Sequence, residues 1–145
     1  MRTMEFSDIT KEDLAEAFEL AAIECEIDDE DNELYLKKSC VDFPLWVQIN
    51  DERKTIMLYT HLKFKDDAPR DQLAAFAQML NDTYTTVQFA TGESDDGKAF
   101  LKGYYNIYTN FGIIVPQLIH TVKKFSEIFI DAIREKDQEY IFFGS

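Results

Sequence analysis

The sequence predicts an α+β fold: one antiparallel sheet of about five strands with helices packed on one face, in the order α-β-β-β-α-β-β-α. Three observations carry this. Two pairs of segments alternate apolar and polar residues across short polar turns. Three other segments space their apolar residues by three and four. The 145 residues fit one domain, spanning 1–145, with no linker or repeat inside it.

Thr10 followed by Lys11-Glu12-Asp13 has the form of a helix start. Leu14, Phe18, Ala21, Ala22 and Cys25 then recur at helical spacing. The run Asp28 to Glu33 is acidic or amide throughout, so self-repulsion predicts a solvated loop. A weakly patterned strand is read over Glu33–Cys40. Pro44 to Asn50 alternates clearly, with Leu45, Val47 and Ile49 on one face and Trp46 and Gln48 on the other. Asp51-Glu52-Arg53-Lys54 is a hairpin turn. In the next strand, Thr55 to Leu62, Ile56, Leu58, Thr60 and Leu62 oppose Met57, Tyr59 and His61.

Asp66-Asp67-Ala68-Pro69 opens a second helix, where proline's missing donor is harmless. Leu73, Phe76, Ala77 and Leu80 form its apolar stripe. A second hairpin runs from Thr85 to Thr91 and from Lys98 to Thr109, turning at Gly92–Gly97. Val87 and Phe89 share one face of its first strand. In its second strand Leu101, Tyr105 and Ile107 oppose Phe100, Tyr104 and Tyr108. The last helix carries Val115, Leu118, Ile119, Val122, Phe129, Ala132 and Ile133, widened by Ile114, Phe125 and Ile128. Its apolar surface exceeds what one sheet contact absorbs. The tail Tyr140-Ile141-Phe142-Phe143 is a further apolar element with no evident site.

Composition bounds the function. A hydrophobic fraction of 46%, with twelve Phe, seven Tyr and one Trp, is ample for a packed core. The net charge of −13 repels phosphate backbones and anionic lipid, which disfavours nucleic acid and membrane as partners. The N-terminal residues lack the apolar run of a signal peptide, and no segment approaches the roughly 20 apolar residues of a membrane helix. A cytoplasmic location is expected, with Cys25 and Cys40 as reduced thiols rather than a disulfide framework.

No motif specifies catalysis. Gly92-Glu93-Ser94-Asp95-Asp96-Gly97-Lys98 matches the spacing of a nucleotide phosphate loop. Its three acids would repel phosphate, Ala99 stands where a magnesium-binding hydroxyl belongs, and the residues that follow alternate as a strand. An ordinary hairpin turn is expected instead. The acidic run Asp28–Glu33 lacks the glycine of a calcium loop. His61, His120, Cys25 and Cys40 show no short metal-ligand spacing. No serine lies in a nucleophile elbow. We therefore expect no enzyme, and no catalytic, cofactor-binding or metal-binding residues.

The aromatic residues are more informative. Trp46, Met57, Tyr59, His61, Phe100, Tyr104 and Tyr108 fall on strand positions opposite the aliphatic ones. If the aliphatic set faces the helices, this set lies on the open face of the sheet. Such residues bind partners well, having apolar bodies and polar tips. Cover by a loop, by the C-terminal tail or by a second subunit is the competing reading.

Three stretches form a further pattern: Pro44-Leu45-Trp46-Val47-Gln48-Ile49 before an acidic turn and a second apolar strand, Ala68-Pro69 opening a helix that ends Leu80-Asn81, and Gly112-Ile113 before a long helix bearing Phe125. Together they resemble the YbjN-type family, which shares the fold of type III secretion chaperones. The resemblance runs from about Pro44 to Ile133 and implies a single domain of that type, non-enzymatic, often dimeric, that binds polypeptide. It brings no catalytic residues with it. The expected function is thus a chaperone-like or regulatory protein-binding module, a homodimer, that buries a partner polypeptide on the aromatic sheet face or on the last helix. Its contact residues would be Trp46, Met57, Tyr59, His61, Tyr104, Tyr108, Phe125 and Ile128. The alternative is a small-molecule-sensing or enzymatic domain with its pocket between the last helix and the sheet.

Overall fold

The computed structural model of the chain describes residues 3–4, 9–37 and 41–144. Its main sheet has six antiparallel strands: β2 (Cys25–Asp28), β3 (Glu33–Leu36), β4 (Leu45–Asn50), β5 (Thr55–Lys63), β6 (Gln88–Glu93) and β7 (Ala99–Tyr108). Their spatial order is β2-β3-β4-β5-β7-β6. Two short strands, β1 (Thr3–Met4) and β8 (Ile113–Ile114), form a separate antiparallel ribbon. The helices are α1 (Lys11–Leu20), α2 (Leu73–Thr83) and α3 (Val115–Lys136).

The class is the α+β class expected, but the single sheet of five strands is corrected to six strands plus a ribbon. The additional strand, β2, occupies residues read as helix end and acidic loop. The helix stops early because the chain turns at Ala22, whose φ is +61°. Ile23 N–H donates to the Phe18 carbonyl and Ala22 N–H to the Glu19 carbonyl. Phe18 and Ile23, on either side of the turn, are both buried in the one core cluster. This is a helix stop usually marked by glycine; alanine in its place hides it from the sequence. The acidic run then becomes a tight hairpin turn. Asp28 Oδ1 accepts the N–H groups of Glu30 and Asp31, and Asn32 takes φ +52°. Cys40, and with it the end of the strand expected over Glu33–Cys40, lies outside the described residues.

The face assignment holds. Leu45, Val47, Ile56 and Leu58 are 0% exposed and share one core cluster with Phe18 of α1, Phe76 and Leu80 of α2, and Phe125 and Phe129 of α3. Burying each such side chain contributes about 1.5–3 kcal/mol. The stripe of α2 is the predicted one: Leu73, Phe76, Ala77 and Leu80 are its buried residues. A turn of 3-10 helix, Arg70–Gln72, precedes it after Pro69.

The apolar tail finds a place. The buried carboxylate of Asp137, just past α3, accepts the N–H groups of Ile141, Phe142 and Phe143 at 2.8, 3.1 and 2.9 Å. This folds the tail back so that Phe142 stacks on Phe76 at 4.3 Å and Phe143 on Phe64 at 4.8 Å. It closes the core beside α2 and makes no ring contact with the aromatic set on the other face.

Candidate functional site: the aromatic face of the sheet

Strand register builds this surface. Pairing sets Glu26, Tyr35, Trp46, Tyr59, Tyr104 and Gln88 in one line that crosses all six strands. Successive residues of a strand point to opposite faces, so the whole line shares the face turned away from the core. Beside it runs a second line, His61 opposite Lys102, and beyond that Lys63 opposite Phe100. On the other side, Glu33, Gln48, Met57 and Asn106 form a more polar line.

The rings pack on one another. Trp46 lies 5.0 Å from Tyr35, stacks on Tyr59 at 5.5 Å, and stacks nearly parallel on His61 at 5.1 Å. His61 continues to Phe100 at 5.5 Å. The Lys102 ammonium sits 5.5 Å from the ring centroids of both Tyr59 and Tyr104, where the negative ring faces attract it. Tyr35, Trp46, Tyr59 and Tyr104 are all half-buried, each shielded in part by its neighbours. Among the described residues, no helical side chain joins the cluster by a ring contact.

Electrostatics divide the face. At its β3 end Glu33 is only 4% exposed and accepts the Tyr59 hydroxyl at 2.5 Å. Burial pushes the Glu33 carboxyl up, the Tyr59 hydrogen bond pulls it down, and the neighbouring Asp31 and Asp28 push it up again. Tyr59 is pushed up strongly, first by burial and then by Glu33. His61 is pushed down by burial and by the Lys102 charge, which favours a neutral imidazole stacked on Trp46.

The residues expected to bind a partner divide in the same way. Trp46, Tyr59, His61 and Tyr104 come together, and Met57 lies one line away on the same face. Tyr108 is on this face but at its far end, 76% exposed and outside the ring cluster. Phe125 is 1% exposed and belongs to the core, so its place in a binding surface is corrected; Ile128 packs half-buried against that core. Sequence reasoning missed Tyr35, Glu33 and Lys102. Tyr35 alternates with the buried Leu34 and Leu36, and Lys102 has the parity of Phe100 and Tyr104. Both signals were present but became readable only once register was fixed.

Chemically the face offers stacking, hydrogen bonding and charge. Among the described residues no hydrogen bond joins His61 or His120 to a hydroxyl, thiol or carboxylate. Cys25 Sγ lies 3.9 Å from the Ala15 carbonyl oxygen, and burial and then Glu19 push its thiol up, away from the reactive thiolate. Gly92 and Glu93 end β6, residues 94–98 form the hairpin turn, and the chain continues as strand β7 rather than as the helix a phosphate loop requires. Asp28, Asp31 and Glu33 carry carboxylates within 4.8 Å of one another and are the described residues that could hold a cation. One Asp28 oxygen already serves the turn and one Glu33 oxygen accepts from Tyr59. Among the described residues no helix is long and apolar enough to cross a membrane.

The sequence profile of YbjN, a family described as "Putative bacterial sensory transduction regulator", matches residues 10–135. The fold is similar to that of E. coli YbjN, "a putative transcription regulator", with a TM-score of 0.80 at 16% identity over 98% of this chain and 99% of that one. It is also similar to a chain of the ExsC–ExsE complex, with a TM-score of 0.55 at 20% identity over 91% of this chain and 92% of that one. A chain of the HopA1–SchA chaperone–effector complex gives 0.51 at 18% identity over 88% and 89%. No curated protein sequence matches the chain.

Proposed function

The chain belongs to the YbjN family, and from that premise we propose that it is a non-enzymatic protein-binding module, chaperone-like or regulatory, that buries a partner polypeptide on the aromatic face of its sheet. The observation that carries this reading is the uninterrupted ring contact from Tyr35 through Trp46 and His61 to Phe100, with Tyr59 stacked on Trp46 as well. Single surface aromatics are common, but a contiguous set with polar tips is what interface cores are made of. Support comes from structural neighbours of the same fold that were solved in complex with other proteins. With Phe125 in the core, the sheet face rather than the last helix is the binding surface. A cytoplasmic location accords with the strongly acidic composition.

The protein acts as a homodimer on this reading. A second apolar surface, formed by Tyr108, Phe111 and Ile114, is exposed at the end of the sheet next to the β8 strand. Pairing there leaves the aromatic face free for the partner.

The test is a photo-crosslinking amino acid placed at Tyr104, or at Met79 on the exposed side of α2 as a control, in cells that make the protein. A discrete adduct at position 104, absent at 79 and reduced by Trp46→Ala, is expected. Equal labelling at both positions would reject the reading.

One observation favours the alternative. A pocket of about 240 Å³ lies between α3 and the sheet, lined by Tyr105, Ile107, Gln117, Leu118 and Thr121 among others. Small-molecule sites usually run to roughly 300–1,000 Å³ with convergent polar groups. This one is smaller, and no carboxylate, histidine or cysteine lines it. Protein binding is therefore the stronger reading.

A further inference from the structure

At the β2 edge the aromatic face ends in a groove of about 500 Å³. Tyr35 and Trp46 line one side of it, and Glu26, Asp28, Asp29 and Glu30 the other. Lys37 pairs with Glu26 at 3.0 Å, and Lys11 with Asp29 at 3.3 Å. Among the described residues no further ion pair reaches the turn, so Asp28 and Glu30 face the groove with Asp31 and Glu33 close behind. Burial first, and then the nearby charges of Asp31 and Asp28, push the Glu33 carboxyl up.

The opposite half of the same face shows how its rings are complemented. There Lys102 of this chain places its ammonium over Tyr59 and Tyr104. Among the described residues, the Tyr35–Trp46 half has rings and acids but no cation seated over the rings. We propose that this groove receives a lysine or arginine side chain from an extended partner polypeptide, its aliphatic stem on Tyr35 and Trp46 and its charge between Asp28 and Glu30. The inference rests on the polypeptide-binding reading above and gives the partner segment its chemistry: a cation flanked by apolar residues. Three features complement such a side chain. The aromatic floor attracts a cation and accepts an apolar stem. The carboxylates supply the counter-charge. The chain's net charge of −13 draws basic segments toward it.

Trp46 is the one tryptophan of the chain, so its fluorescence reports on this groove and on the rings stacked beside it, and the backbone amide shifts tell the two apart. The probes are two capped pentapeptides, one alternating leucine with arginine and the other leucine with glutamine. They are titrated against the full chain while tryptophan emission and backbone amide NMR shifts are followed. The arginine peptide should change Trp46 emission saturably and shift the amides of Glu26 to Glu30. The glutamine peptide should bind at least tenfold more weakly. Asp28→Asn with Glu30→Gln, which keeps the turn's hydrogen-bond acceptors, should remove most of that difference, as should raising the salt. Equal binding of the two peptides at Trp46 would overturn the cation site and leave the polypeptide-binding reading standing. Arginine-peptide shifts confined to another surface would also overturn it. A Trp46 signal unmoved by either peptide up to millimolar concentration would overturn both.

Discussion

The carboxylate of Glu33 on β3 accepts the phenolic proton of Tyr59 on β5 at 2.5 Å, bridging over the intervening strand β4. One partner is a nearly fully buried acid, and the other is a ring of the aromatic cluster. The bond therefore couples the acidic turn to the aromatic face of the sheet.

Tyr59→Phe should cost about 1–3 kcal/mol, because a buried carboxylate loses its donor. The loss should depend on pH. Burial raises the folded-state affinity of Glu33 for its proton, so Glu33 weakens the fold as pH rises from its unfolded pKa through its raised folded pKa. The Tyr59 hydrogen bond opposes that rise, so removing it enlarges the penalty on the alkaline side. Urea unfolding at about pH 5 and about pH 7.5 should show the larger loss at the higher pH. Glu33→Gln should flatten the pH dependence. Equal losses at both pH values would contradict this account.

Gly103 on β7 has no side chain because Phe129 of α3 occupies the space. A Cβ there would stand 2.5 and 2.8 Å from the Phe129 ring and 3.2 Å from Val87. Gly103→Ala should destabilise by about 1–3 kcal/mol through overpacking. Gly103→Ala combined with Phe129→Leu should cost less than the sum of the two changes alone. Additive losses in thermal melts would show that the ring and the glycine are not coupled.

Asp137→Ala removes an acceptor shared by three tail N–H groups. Bonds of this charged kind are worth about 1.5–3 kcal/mol each at most, and water recovers part of that in an exposed tail. The expected result is release of Phe142 and Phe143, seen as faster proteolysis near the C-terminus with the rest of the chain protected. An unchanged cleavage rate would mean that the ring contacts with Phe64 and Phe76 hold the tail unaided.

If two copies pair through Tyr108, Phe111 and Ile114, sedimentation should give a species near twice 16.9 kDa at micromolar concentration. Phe111→Ser with Tyr108→Ser should convert it to monomer without moving Trp46 emission. Phe111 is 103% exposed, so its loss cannot act through the core. A monomer in the unmodified protein would end the dimer proposal.

Much of the fold was legible in the sequence. The alternation in Leu45–Asn50 and Thr55–Leu62, the α2 stripe and the turn at Asp51–Lys54 depend on residues adjacent in the chain, where period and turn chemistry act locally. The same parity puts Trp46, Tyr59, His61 and Tyr104 on one face. What failed depended on the unusual or the distant. The stop after α1 uses Ala22 at positive φ, so the missing glycine concealed strand β2. The last helix appeared apolar on too many sides because sequence cannot show that its neighbours leave room for Phe125, or that the tail folds back on Asp137. The aromatic face is the clearest case. Local sequence determined which side chains point away from the core. Tertiary structure decided that Glu26, Tyr35, Trp46, Tyr59 and Tyr104 stand in one line, because register between strands is set by turns and packing far along the chain.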